Sequence, residues 1–230
     1  MSDDRLNQLI AHAKKSIENA YVNISKITDN VKRLPGFSGN KTKHLYNNMV
    51  SLDNCSYLEV GTYFGGSFVS AMYNNNNIFK CAYAVDNWSQ FGGSKEKFYE
   101  SIHKCQCEKY NFKLIDKNAW NVTKEDVPDM IDIYMYDGQH TYVDQKLAIT
   151  HYAKFLAKYS IIMVDDWVVH EGGITTWGVQ EGTYDGIKEA GLKVHYKHEI
   201  PLVNTGGQLH INGDTFWNGC GVFVVERTDI

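Results

Sequence analysis

From Ser56 onward the chain repeats one pattern: a short apolar run that closes on or beside a polar residue, then a segment long enough for a helix. Strands are expected at SYLEV (56–60), CAYAVD (81–86), FKLID (112–116), IDIYMYD (131–137), SIIMVDD (160–166), KVHYKHEI (193–200) and GVFVVER (221–227), with helices that include 143–158 and 183–190. Strands separated by helices must pair in parallel through crossovers. The last two are joined instead by a stretch without helical period, which suggests an antiparallel hairpin at the end of an otherwise parallel sheet. The expected fold class is therefore α/β: a doubly wound, mostly parallel seven-stranded sheet with an antiparallel C-terminal hairpin.

The first fifty residues read differently. Leu6, Ile10, Ala13, Ile17, Ile24, Ile27 and Val31 recur at three-, four- and seven-residue steps, one apolar stripe on a long helix that ends near Pro35. LPGFSGNK follows as a glycine-rich loop, and KHLYNNMVSL as a second, short helix. The chain divides on this reading into a helical extension, 1–50, and a sheet domain, 51–230. The extension either packs against the domain or caps a ligand site.

Composition narrows the function. A 230-residue chain with 23 Lys and Arg against 27 Asp and Glu, formal net charge −4, has no basic field to hold a phosphate backbone, so nucleic acid is not the expected partner. No run of eighteen apolar residues is present, and the start, MSDDRLNQLIAHAKKS, is acidic and amphipathic. A cytoplasmic protein with no membrane partner and a small-molecule ligand is expected, and a homodimer is left open. Five cysteines, an odd number, with Cys105 and Cys107 the single close pair, are expected to be free thiols.

Glu59, Asp86, Asp116, Asp137 and the pair Asp165-Asp166 all fall at or near the carboxyl ends of expected strands. In a parallel sheet those ends share one edge, where ligands bind near the topological switch point. Taken alone, Asp137-Gly138-Gln139-His140 is an ordinary turn sequence; in this company it is a candidate site. LEVGTYFGGS, 58–67, is the glycine-rich turn after the first strand. A dinucleotide fingerprint puts its second glycine where this chain has Tyr63, and a side chain there works against close approach to a pyrophosphate. A nucleoside without phosphate suits the turn better, with Asp86 placed to accept from both ribose hydroxyls. S-adenosylmethionine is the candidate.

With LEVGTYFGGS, AVDNW, YDGQHTY and VDDW in view, the chain from about Tyr57 onward resembles the class I S-adenosylmethionine-dependent methyltransferases, whose fold is Rossmann-like. More narrowly it resembles the metal-dependent O-methyltransferases of the catechol type and of the macrocin O-methyltransferase-like group, which includes sugar-modifying enzymes. The resemblance implies cofactor contacts at Glu59 and, in the loop that follows it, at Gly61, Tyr63, Gly65 and Ser67, ribose binding at Asp86, and adenine contact at Trp88 or Asn118. It implies magnesium ligands at Asp137, Asp165 and Asp166, with Asp137 also bordering the cofactor. The catechol-type enzymes carry Asn at the position of Asp166. His140 stands where those enzymes place a lysine general base and sugar-directed relatives a histidine, and imidazole suits a base working near neutral pH.

The implied reaction is methyl transfer to a hydroxyl of a small sugar-like or diol acceptor. Two other readings compete: a nicotinamide-dependent oxidoreductase, which Tyr63 and the clustered acids disfavour, and a domain that binds S-adenosylmethionine without turnover. His170, His195, His198 and His210 have no comparable context and read as structural or exposed. Trp177 and Trp217 either line an acceptor pocket or pack, and VVHEGGITTWGVQEG is expected to shape that pocket as a movable loop.

Overall fold

The computed structural model describes residues 2–167, 178–201 and 213–228. Seven strands form one sheet: β1 (Ser56–Val60), β2 (Cys81–Asp86), β3 (Phe112–Asp116), β4 (Ile131–Tyr136), β5 (Leu156–Asp165), β6 (Leu192–Ile200) and β7 (Cys220–Arg227), in the order β3-β2-β1-β4-β5-β7-β6. β1 pairs in parallel with β2 and β4, β2 with β3, and β4 with β5. β7 inserts between β5 and β6 and is antiparallel to both, so the expected hairpin is present and β7 alone runs against the sheet. The strand order reverses at β1 and β4, which puts the crevice of a doubly wound sheet at their carboxyl ends.

Alternation of side chains along each strand divides the core in two. Tyr57, Ala82, Ala84, Ile133, Met135, Ile161, Met163, Val222 and Val224 face one layer; Leu58, Val60, Tyr83, Val85, Tyr134, Tyr136, Ile162, Val164, Phe223 and Val225 face the other. The first layer is covered by α1 (Ser2–Tyr21), α3 (Asn40–Met49), α4 (Gly66–Met72) and α5 (Lys95–Lys104), the second by α6 (Tyr142–Tyr152) and α7 (Val179–Glu189). Leu9, Ala13 and Ile17 of α1 and Leu45, Tyr46 and Met49 of α3 lie in the same buried cluster as the sheet.

Two helix boundaries differ from expectation. The first fifty residues hold three helices, not a long and a short one: α1 stops at Tyr21 and α2 spans Asp29–Lys32. The break falls at Asn23, which takes a left-handed φ of 57° that asparagine tolerates, and the amides of Val22, Asn23 and Ile24 close the turn on Asn19 and Ala20. Ile24, counted on the stripe, is exposed. The helix expected at 143–158 ends at Tyr152, because Leu156 already pairs with Ile131 as the start of β5. Among the described residues no helix is long and apolar enough to cross a membrane, and all five cysteines are free.

Candidate active site

The crevice opens into a cavity of about 970 Å³, at the upper end for small-molecule sites and roomy enough for two ligands. Its first wall is the turn after β1. Gly61 has φ 92°, and a β-carbon there would sit 1.9 Å from the Asp137 carbonyl oxygen, so this position brings the ends of β1 and β4 into backbone contact. The amide of Gly61 donates to Val85 O and that of Asp137 to Val60 O, which locks the two loops to the sheet. Thr62 lines the cavity with a buried hydroxyl that has no hydrogen-bond partner, a polar group suited to a ligand.

Asp86, at the end of β2, accepts from the Tyr63 amide and the Trp88 amide, each at 2.7 Å. Each carboxylate oxygen keeps a lone pair, so the group is fixed in place with capacity for ribose hydroxyls. The indole N–H of Trp88 donates to Tyr63 O at 2.8 Å and its ring packs edge-on to Phe98, which ties it into the wall. Glu59 lies behind the turn, fully buried, accepting at 2.5 Å from both Tyr57 and Ser67 hydroxyls. Burial pushes its pKa up to about 7, against the lowering effect of those two bonds.

Beyond β4 and β5 the acids converge. The buried Asp137 and Asp165 carboxyls act on one another electrostatically. Both are held well above the usual carboxylate range, by desolvation first and then by repulsion from neighbouring carboxylates, Asp166 among them. Tyr46 donates to Asp165 Oδ1 at 2.9 Å, and Asn218 Nδ2 to Asp166 Oδ1 at 2.8 Å. The other Asp166 oxygen faces His140 Nε2 at 3.1 Å. Burial lowers the His140 pKa against the pull of Asp166 and Asp144, so the imidazole is neutral near pH 7. Gly138 clears the way for this turn: a β-carbon there would meet the Tyr136 hydroxyl at 2.7 Å.

Of the residues singled out from sequence, Gly61, Tyr63, Ser67, Asp86, Asn118, Asp137, His140, Asp165 and Asp166 line this cavity together, while Glu59, Gly65 and Trp88 stand behind its wall. Trp217 lines it; Trp177, His170, His210 and most of the expected pocket loop lie outside the described residues. His195 pairs with Glu226 at 2.9 Å, away from the cavity, and His198 is half-buried on β6. Sequence reading missed Thr62, Phe37, Tyr46 and Asn218. A threonine inside the glycine turn was legible as a donor; Tyr46, 119 positions from Asp165, gave no local signal.

The donor set suits a hard cation in chemistry, since two buried carboxyls and an adjoining third repel one another unless a proton or a metal intervenes. Among the described residues, however, no group of three or more His, Cys, Asp or Glu side chains stands in the arrangement of a preformed metal centre. Asp137 and Asp165 fit such an ion best, with Asp166 engaged by His140 and Asn218.

Residues 58–167 match a family model described as a methyltransferase domain. No curated protein sequence matches the chain. Among solved structures, an O-methyltransferase from Bacillus cereus in complex with S-adenosylhomocysteine superposes with a TM-score of 0.56 at 12% identity, over 92% of this chain and 90% of that one. A precorrin-6y C5,15-methyltransferase from Geobacter metallireducens GS-15 gives 0.54 at 11% identity, over 88% and 97%. At such identities the likeness is one of fold. The chain thus has a Rossmann-like methyltransferase fold, and within it residues 58–167 are similar to a methyltransferase domain.

Proposed function

We propose that the enzyme is an O-methyltransferase acting on a hydroxyl of a small neutral acceptor, a sugar-like molecule or other diol, with magnesium assistance. The observation that carries this reading is the juxtaposition of His140 with Asp137, Asp165 and Asp166 on the floor of a cavity whose other wall is the glycine turn and Asp86. Bound S-adenosylmethionine supplies an activated methyl group on a sulfonium. Gly61 to Ser67 and Asp86 hold that cofactor, Asn118 borders its adenine, and the acids serve the acceptor side. Asp137 and Asp165, with Asp166 adjoining, would hold magnesium, which acidifies and orients hydroxyls. His140, neutral near pH 7, accepts the acceptor's proton, and Asp166 at 3.1 Å steadies the resulting imidazolium. The charges lining the cavity support a neutral acceptor: Lys117 is its one lysine or arginine among the described residues and is engaged by Asp126, so an anionic group would meet mainly carboxylates.

The test is thermal unfolding with S-adenosylhomocysteine, NAD or NADP, each with and without magnesium. A ligand of the native state raises the midpoint by mass action. S-adenosylhomocysteine is expected to raise it and the nicotinamide cofactors to leave it unchanged, with a further increment from magnesium; a shift with NAD alone would refute the assignment.

A further inference from the structure

Asp165 is held by a side chain from outside the sheet. Tyr46, on α3 in the N-terminal extension, is fully buried, and its hydroxyl donates to Asp165 Oδ1 at 2.9 Å. Phenylalanine would fill the same space and leave that oxygen without its donor in a buried setting, a cost that the apolar packing of the ring does not require. The same helix also reaches the neighbouring acid indirectly. Its first turn is clamped to the segment before β7, with Asn40 N donating to Gly213 O at 2.7 Å and Lys41 N to Thr215 O at 3.1 Å. Three residues past Thr215, Asn218 holds Asp166 Oδ1, and Trp217 lines the cavity. One helix thus sets the orientation of both adjacent acids, Asp165 by direct contact and Asp166 through a clamped loop.

We infer that Tyr46 is a positioning residue that fixes the Asp165 carboxyl for divalent-cation binding, which makes the N-terminal extension part of the active site. This rests on the magnesium reading given above. Hydrogen-bond partners of metal-ligating carboxylates set ligand orientation, and their loss commonly lowers metal affinity 10- to 100-fold.

The experiment uses the full chain and Mn²⁺ as the probe, with free Mn²⁺ followed by electron paramagnetic resonance in the presence of saturating S-adenosylhomocysteine. Tyr46→Phe is expected to weaken Mn²⁺ binding by about 10-fold or more with S-adenosylhomocysteine affinity unchanged. Tyr134→Phe, which removes a buried phenol bonded to Ala148 O on the other side of the sheet, should leave Mn²⁺ affinity unaltered. Equal Mn²⁺ affinity in wild type and Tyr46→Phe overturns the role of Tyr46 while leaving the magnesium reading intact. A wild-type protein that binds no Mn²⁺ overturns both. Should Tyr46→Phe fail to fold, fluorotyrosine placed at position 46 of the otherwise unchanged chain decides: its ¹⁹F resonance is expected to move on adding Mg²⁺, and a resonance that stays fixed while Mn²⁺ binds overturns the proposal.

Discussion

Glu59 shows what a single buried acid does to pH dependence. Its ordinary value of 4.5 is raised to about 7 in the fold, mainly by desolvation. Between those values the native state binds more protons than the unfolded chain, so stability falls as pH rises through that window and levels off above it. A shift of this size corresponds to roughly 3 kcal/mol. Denaturant unfolding from pH 4.5 to 8 should therefore show declining stability, and Glu59→Gln should flatten the decline; an unchanged slope in the variant would place its origin in Asp137 and Asp165, whose shifts have the same sign. His140 carries the opposite logic for turnover. Burial lowers its pKa below 6.5, so the rate is expected to be lost as pH falls through that lowered value, where the imidazole becomes charged. His140→Ala should cut methyl transfer about 10²- to 10⁴-fold with little effect on S-adenosylhomocysteine affinity. Near-wild-type turnover at neutral pH would return the turn after β4 to a merely structural role.

At the scale of elements, what could be read in advance was what is written locally. The cores of all seven strands followed from apolar runs closing on turn residues or acids, and the acids clustered because parallel strands bring their carboxyl ends to one edge. Boundaries were lost where a tertiary contact overrode the pattern: Leu156 extends an apolar period yet pairs with Ile131, and Ile24 falls on the helical stripe yet lies past a left-handed turn at Asn23. Contacts across long separations, such as Tyr46 with Asp165 and Asn218 with Asp166, could not be read at all, since neither partner differs in type from its neighbours' ordinary uses. Glycine positions carry the reverse case, a local residue whose necessity is purely tertiary. Gly61→Ala would drive a methyl to within 1.9 Å of the Asp137 carbonyl at a φ that alanine resists, so the ends of β1 and β4 must part. The expected cost exceeds about 2 kcal/mol, together with loss of S-adenosylhomocysteine binding. Calorimetry that finds stability and binding unaltered would contradict the observed approach of the two loops.

At the scale of the molecule the question is whether residues 1–50 are an appendage or part of the body. Their helices cover the sheet directly: Leu9 and Ile17 of α1, Leu45 and Met49 of α3, and Val50 just after it are all buried in the core that includes Tyr57, Ile133 and Met163. Fully burying side chains of this kind stabilises by about 1.5–3 kcal/mol each. Five of them together contribute on the order of 10 kcal/mol, which equals the net stability of a typical domain. Further ties cross the same boundary, including the ion pair of Arg5 with Asp132 at 2.7 Å and the Tyr46 bond to Asp165. A chain beginning at Ser51 would also expose one face of the sheet as a contiguous apolar surface, which favours association over folding. Such a chain is expected to lose cooperative thermal unfolding and to show no midpoint shift with S-adenosylhomocysteine, even though it retains the glycine turn, Asp86 and every acid of the site. Circular dichroism melting of the shortened chain decides the matter: a sharp transition that S-adenosylhomocysteine still raises would show that the sheet domain stands alone and that the extension acts on the acceptor side only.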